Sequence, residues 1–228
     1  GAIWLTGGDQ GDYYNFWKGT LLERLVSEQV ANFGIPIGGT SAGMMILSEF
    51  NYIADPYTIS SYDALNEPYK DGAVTLTRDF WTYTTPFVPL LSTVTDSHFD
   101  TRNRMGRLVT FLARVIEDKW ANTNSARAIG VDQETALLME YYDKSSSPSK
   151  RALTTVTVIA NPGIFGAAYF LSAGAGSTLI VDPRQPLTFT HVDVQKCPVT
   201  SPTINCQPVK YQINVIEGDL TSTIGTVY

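Results

Sequence analysis

The glycine-flanked serine in the segment GGTSAG, residues 38–43, constrains the fold of this chain more than any other feature. An apolar run at 35–37 predicts a buried strand before it, and an amphipathic run at 42–50 predicts a helix after it. Small residues around Ser41 let the backbone bend sharply, which exposes the hydroxyl and aims the helix N-terminus at developing negative charge. The segment predicts a nucleophilic serine, although a serine that only caps a helix fits the same pattern.

Composition excludes several classes of partner. With 228 residues, of which 43% are hydrophobic, the chain is long enough for one large α/β domain. The net charge of −6 argues against a nucleic-acid partner, because phosphate binding needs a basic surface. No apolar run approaches the roughly 20 residues that cross a bilayer, so we expect no membrane association.

Two strand–helix units open the chain. We predict strands at 2–6 and 34–40, each followed by a helix, at about 14–32 and at 42–49. Such tandem units imply a parallel sheet covered on both faces, with catalytic loops at the carboxyl ends of its strands. The irregular segment 51–79 is too long for a plain connection, and loops of this length are usually functional lids or disordered.

The second half of the chain is rich in predicted strands. A strand at 90–95 and a helix at 105–118 complete the α/β part, and a polar stretch at 144–149 predicts a linker. Further short strands are predicted at 128–131, 136–142, 152–160, 166–172, 177–181, 187–195 and 209–216. We expect this region to complete the same domain.

Histidines and arginines supply the candidates for a base and for anion binding. His98 lies just past a predicted strand end, where it can face the same sheet edge as Ser41, whereas His191 alternates with apolar neighbours and is expected to be structural. Arg102, Arg104 and Arg107 open a helix in an acidic protein. They therefore bind either internal carboxylates or an acidic ligand, which guanidinium groups grip in a bidentate fork.

The only two cysteines are close in sequence. Cys197 and Cys206 suit a hairpin closed by a disulfide, worth about 2 to 3 kcal/mol, and this favours a secreted protein. Two free thiols in a cytoplasmic protein are the alternative. Because no cluster of Cys, His and carboxylates has ligand spacing, we expect neither a metal nor a cofactor.

Four motifs in order carry a resemblance to a known family. They are GGDQ at 7–10, GTSAG at 39–43, DSHF at 96–99 with the arginines that follow, and GVDQETA at 130–136. Together they resemble the cyanophycinase branch of the S51 serine peptidases, which includes the aspartyl dipeptidase peptidase E. The ending, 186–219, is also similar to the final strands of that family.

The resemblance implies a three-layer α/β/α fold with a mainly parallel central sheet, like that of class I glutamine amidotransferases. It makes Ser41 the nucleophile and His98 the general base. Backbone N–H groups at Ala42 and at the turn containing Gly8 would form the oxyanion hole. Substrate-pocket positions of the family match Gln10, Asp96, Arg102, Arg104 and Arg107.

The chain departs from the family pattern at two places. Ser97 stands where the family generally has glutamine, which removes an amide from the pocket. Gln133 stands where the family has the glutamate that orients the histidine, and a neutral amide cannot balance an imidazolium charge. Glu134 and Asp132 are candidate substitutes, although neighbours in a strand point to opposite faces.

The family also begins well upstream of the first glycine turn. We therefore expect residues 1–228 to be a single peptidase-like domain that lacks its N-terminal strands, and to associate with an N-terminal fragment or to form a homodimer.

The leading hypothesis is a serine hydrolase that cleaves peptide or isopeptide bonds beside aspartyl residues. The alternative is a weak or inactive homologue that binds acidic peptides or a partner protein. A generic α/β-hydrolase is disfavoured, because His98 precedes the candidate acids in chain order.

Overall fold

The computed structural model describes residues 1–78, 80–81, 88–142, 153–161, 163–199 and 208–228, which form a mixed α/β protein. Its helices are α1 Gln10–Trp17, α2 Leu21–Phe33, α3 Ala42–Met45, α4 Ser61–Asn66 and α5 Met105–Glu117. The strands of the first half are β1 Ile3–Leu5, β2 Ile37–Gly39, β3 Asn51–Tyr52, β4 Leu76–Thr77, β5 Thr93–Asp96 and β6 Arg127–Val131. The strands that follow are β7 Thr135–Tyr142, β8 Leu153–Ala160, β9 Ala167–Ala173, β10 Leu179–Ile180, β11 Thr188–Pro198, β12 Val209–Ile216 and β13 Asp219–Ser222.

A seven-stranded sheet dominates the described residues. Its strand order is β13-β12-β11-β9-β6-β5, with β10 paired to β11. Strands β5 and β6 are parallel, and every other described pair in this sheet is antiparallel. Separate two-stranded sheets are formed by the parallel pair β1–β2 and by the antiparallel pairs β3–β4 and β7–β8.

The expectation of a three-layer fold with a mainly parallel sheet is not confirmed. Parallel pairing is confined, within the described residues, to β1–β2, to β5–β6 and to a single bridge between Phe50 and Val94. The strand-rich second half does complete the sheet, because β9 pairs directly with β6. The linker predicted at 144–149 lies outside the described residues.

The predicted helix at 14–32 is two helices. Gly19 adopts φ 70°, a left-handed value that interrupts the helix between α1 and α2. Thr20 then caps α2 by accepting from the N–H of Glu23, and the Glu23 carboxylate accepts in return from the N–H of Gly19. This reciprocal arrangement satisfies N–H groups that a helix start leaves unpaired.

Helix α5 packs at the centre of the main core. Nearly all of its residues are buried, and Phe111 stacks on the fully buried Tyr52 with ring centroids 4.5 Å apart. The helix contacts β5, β6 and β9, so it fixes the carboxyl end of β5 against the sheet. The main core therefore holds three groups together: Arg104 at the N-cap of the helix, Arg107 in its first turn, and the carboxyl end of β5.

Cys197 in β11 is disulfide-bonded, which agrees with the bonded alternative; Cys206 lies outside the described residues. None of the helices in the described ranges combines the length and the apolarity that a membrane span requires.

Candidate active site

Ser41 lies at a sharp turn between β2 and α3. Its backbone adopts φ 55° and ψ −118°, a strained conformation for a residue with a side chain. A Cβ added at Gly43 would collide with the carbonyl of Leu5, and one added at Gly39 would collide with the backbone of Gly43. Gly43 is needed because the turn packs directly against β1, and Gly39 is needed because the backbone of α3 passes close to it.

His98 meets Ser41 although 57 positions separate them in sequence. It follows the carboxyl end of β5 by two residues and also has a positive φ, of 47°. Its Nε2 lies 2.9 Å from Ser41 Oγ, which is hydrogen-bond distance. The two side chains are thus placed for proton transfer between hydroxyl and imidazole.

The other imidazole nitrogen faces an amide. Nδ1 of His98 lies 3.3 Å from Oε1 of Gln133, and the hydroxyl of Thr101 donates to the same oxygen. This arrangement lets Nδ1–H donate to Gln133 while Nε2 accepts from Ser41. Glu134 is exposed and, among the described residues, makes no hydrogen bond or ion pair with His98. The structure brings Gln133 to the histidine and leaves Glu134 away from it.

The surroundings of His98 favour its neutral form. Burial lowers the pKa of His98 below its usual 6.5, and the nearby cations Arg102 and Arg104 lower it further. The hydrogen bond to Gln133 acts in the opposite direction. At neutral pH the imidazole is therefore unprotonated and able to accept a proton.

Backbone amides beside Ser41 match the predicted oxyanion positions. Ala42 is the first residue of α3, so its N–H has no partner within the helix. The turn at Gly7 and Gly8 lies alongside, since a Cβ added at Gly7 would touch the Cβ of Ser41 at 3.4 Å. Gly8 also lines the same pocket as Ser41, so the residues predicted to form the oxyanion hole lie beside the serine.

A pocket of about 640 Å³ opens in front of Ser41. Gly8, Gln10, Arg102, Arg104 and Arg107 all line it. Gln10 begins α1, and its amide contacts the sulfur of Met45 at 3.8 Å. Most of the predicted substrate-binding residues thus lie around one cavity.

Asp96 and Arg107, both expected to bind substrate, form an ion pair with each other. The Arg107 guanidinium donates to Asp96 Oδ2 from Nε at 2.6 Å and to Oδ1 from Nη2 at 2.7 Å. The two side chains are 3% and 0% exposed. Because a buried carboxylate needs a charged partner, Arg107 neutralises Asp96 and Asp96 does not line the pocket.

Arg102 and Arg104 remain available to a ligand. Arg102 is exposed, and no ion pair involves it among the described residues. Arg104 donates from Nη1 to Asp96 at 3.2 Å and to the carbonyl of Ser97 at 2.6 Å, while it still lines the pocket. Burial lowers the pKa of Arg104 to about 10, so it stays charged at neutral pH.

Sequence reasoning missed the residues that support this loop. Thr101 contacts the amide of Gln133, and Ser61 accepts from the N–H of Arg107. The hydroxyl of Tyr228 accepts from the N–H of Met105 and donates to Asn103. No local pattern identifies Tyr228, because it reaches α5 across 123 positions.

Among the described residues, no group of three or more His, Cys, Asp or Glu side chains could hold a metal ion.

Comparison with known proteins gives one relationship to weigh beside this geometry. No family model matches the chain. A cyanophycinase of Geminocystis herdmanii is 29% identical over 139 residues, or 61% of this chain and 43% of that relative. The match thus spans less than half of the relative's length, and it supports a cyanophycinase-like relationship.

Proposed function

We propose that this chain is a serine hydrolase of the S51 peptidase type, which cleaves peptide or isopeptide bonds next to aspartyl residues through an acyl-enzyme. The observation that carries the proposal is the 2.9 Å contact of Ser41 Oγ with His98 Nε2 at a strained strand-to-helix turn. The relative named as a cyanophycinase supports the same conclusion.

In the proposed reaction, Ser41 Oγ attacks the scissile carbonyl carbon while His98 Nε2 takes its proton. The N–H groups of Ala42 and Gly8 donate to the oxyanion that forms. Protonated His98 then gives its proton to the leaving amine as the carbon–nitrogen bond breaks. Water, deprotonated by His98, attacks the resulting ester and releases Ser41 together with the free acid.

Substrate recognition is assigned to the cationic side of the pocket. Arg102 and Arg104 line the cavity beside Ser41, so they would hold a free carboxylate of the substrate near the scissile bond. This fits an aspartyl residue linked through its side chain, which leaves one carboxylate free. Gln10 would contact the same unit from the opposite wall.

The relationship would also make residues 1–228 one peptidase domain of the three-layer type. The parallel pairs β1–β2 and β5–β6, whose carboxyl ends lead to Ser41 and His98, support that assignment. A secreted protein is supported by the disulfide at Cys197, because such bonds persist in oxidising compartments.

Hydrolysis of dipeptides tests the proposal. The protein is expected to release the free amino acid from a β-aspartyl dipeptide, and Ser41→Ala is expected to abolish the release. Ser27→Ala is a matched control: the Ser27 hydroxyl is buried in α2 without a hydrogen-bond partner among the described residues. Equal hydrolysis by wild type and Ser41→Ala would refute the proposal.

The neutral side chain of Gln133 beside His98 favours a second candidate function. Gln133 supplies no negative charge to His98, and replacing the carboxylate of a serine-protease triad by an amide reduces turnover by roughly 10⁴. The pocket would then bind acidic peptides or a partner protein without cleaving them efficiently. Saturable binding of an aspartyl peptide that survives unhydrolysed would favour this candidate.

A further inference from the structure

We infer that Asp132 is a positioning residue, which holds the His98 loop and the Gln133 amide in the register that the proposed reaction needs. The inference rests on the proposed function for its catalytic meaning. Its structural part concerns the orientation of one imidazole and is measurable without any reaction.

Asp132 forms hydrogen bonds with segments that are far apart in sequence. It follows β6 and is 6% exposed. Its Oδ1 accepts from the N–H of Asp100 at 3.1 Å, and its Oδ2 accepts from the N–H of Ala167 at 2.9 Å. The hydroxyl of Tyr169 also donates to Oδ2, at 3.4 Å. One carboxylate therefore anchors the His98 loop to the start of β9.

The connection to the catalytic loop is reciprocal. While Asp132 accepts from the N–H of Asp100, the Asp100 carboxylate accepts from the N–H of Gln133 at 3.4 Å. The N–H of Phe99 adds a third bond, to the carbonyl of Val131 at 3.1 Å. These bonds hold the residues after His98 against those that precede and include Gln133.

Such anchoring is needed because the loop is strained. His98 has φ 47°, a left-handed value that a side chain disfavours and that persists only when neighbours enforce it. The contact between His98 Nδ1 and Gln133 Oε1 is 3.3 Å, so a small shift of either segment breaks it. Without that contact, nothing selects the tautomer in which Nε2 accepts from Ser41.

Burial of the Asp132 carboxylate at this position lowers the free energy of unfolding. Burial raises the pKa of Asp132 to about 6, with Asp100 contributing in the same direction. Lys196 of β11 lowers it, and the hydroxyls of Tyr169, Tyr211 and Tyr228 also face this buried region. A neutral amide would avoid this cost but could not accept from both backbone N–H groups, because that requires both carboxylate oxygens.

The test compares wild type with Asp132→Asn, whose amide cannot accept at both positions. The first readout is the nitrogen NMR spectrum of His98: we expect the Nδ1–H tautomer in wild type and a mixture of tautomers in the variant. The second is the rate at which a fluorophosphonate labels Ser41, expected to fall about 10- to 100-fold. The midpoint of thermal unfolding at pH 7 should fall by roughly 2–6 °C, because one backbone N–H loses its acceptor, while the variant stays folded.

Asp118→Asn is the matched control, because Asp118 also accepts from its neighbours, Arg114 and Tyr69, but at the far end of α5. It should leave the His98 spectrum and the labelling rate unchanged. If Asp132→Asn does not fold, Asp100→Ala replaces it, since Asp100 is exposed and supplies the reciprocal bond.

The outcomes separate this inference from the proposed function. A folded variant with the wild-type His98 tautomer and labelling rate overturns the role of Asp132. If wild-type Ser41 is never labelled but the variant still changes the His98 tautomer, the positioning role stands and the hydrolase proposal fails.

Discussion

Gln133 is the side chain on which the strength of the proposed catalyst depends. Its Oε1 accepts from the imidazole of His98 and so fixes the tautomer, but an amide cannot stabilise the imidazolium that forms during the reaction. With burial and two arginines lowering its pKa, His98 is a weaker base than it would be beside a carboxylate.

Replacing Gln133 with glutamate should restore the missing charge. We expect Gln133→Glu to raise turnover at least about tenfold, within a ceiling of roughly 10⁴. In wild type the acidic limb of the pH–rate profile should lie below 6.5, since the pKa of His98 is lowered. The carboxylate should move that limb to higher pH. An unchanged profile, or loss of activity in Glu134→Gln, would show that the acid lies elsewhere.

Arg102, which precedes α5, and Arg107, in its first turn, should behave differently when replaced by alanine. Arg102→Ala is expected to raise KM roughly 10- to 100-fold without changing stability, because Arg102 is exposed beside the pocket. Arg107→Ala is expected to cost about 3 kcal/mol of unfolding free energy, because it leaves the buried Asp96 with only the 3.2 Å contact from Arg104. Steady-state kinetics and urea denaturation of both variants separate binding from structure.

Hydroxyl groups from distant parts of the chain cap the start of helix α5. Arg104 at its N-cap makes no side-chain cap, so Tyr228 accepts from the N–H of Met105 and Ser61 accepts from the N–H of Arg107. Both hydroxyls come from distant parts of the chain, which links the fold of the C-terminal region to the arginine loop.

Removing one of these hydroxyls should destabilise the protein measurably. Tyr228→Phe keeps the ring packed against Phe99 but is expected to cost about 1 kcal/mol in urea denaturation. Tyr62→Phe is the control, because that ring is 76% exposed. Equal stability of Tyr228→Phe and wild type would mean that α5 does not depend on this cap.

Helix boundaries illustrate what the sequence could have disclosed. The hydrophobic spacing predicted one helix at 14–32, yet the threonine and glutamate of the TLLE run at 20–23 form a capping pair that starts a new helix. The capping pair is visible in the sequence, but the continuous apolar periodicity outweighed it in the prediction. Helix α5, by contrast, was predicted within one residue because its apolar face is unbroken.

Across the whole molecule, the sequence was more informative about the site than about the sheet. The contact of Ser41 with His98 was expected from two motifs that each follow a parallel-paired strand, β2 and β5, although these strands belong to separate sheets in the described residues. Strand direction in the second half could not be predicted, because an alternating pattern reads the same in parallel and antiparallel strands. The sequence left open whether Arg107 binds an internal carboxylate or a ligand, and the structure shows that Asp96 is its partner.

The apolar side chains exposed on β1, α1 and α2 should promote association in solution. Trp4, Phe16, Leu21 and Phe33 of β1, α1 and α2 are each more than 60% exposed, and β1 pairs with a strand on one edge. The earlier expectation of a homodimer or an N-terminal partner segment stays a prediction. Light scattering should give twice the 25.0 kDa chain mass for the chain alone. A fully soluble species of one chain mass would contradict self-association.

Mass spectrometry of the protein after treatment with a fluorophosphonate tests the central claim most directly. The account predicts one covalent adduct on the peptide that contains Ser41, absent in Ser41→Ala and formed much more slowly in His98→Ala. An intact Ser41 peptide under these conditions, or labelling that is equally fast without His98, would contradict a serine nucleophile activated by this histidine.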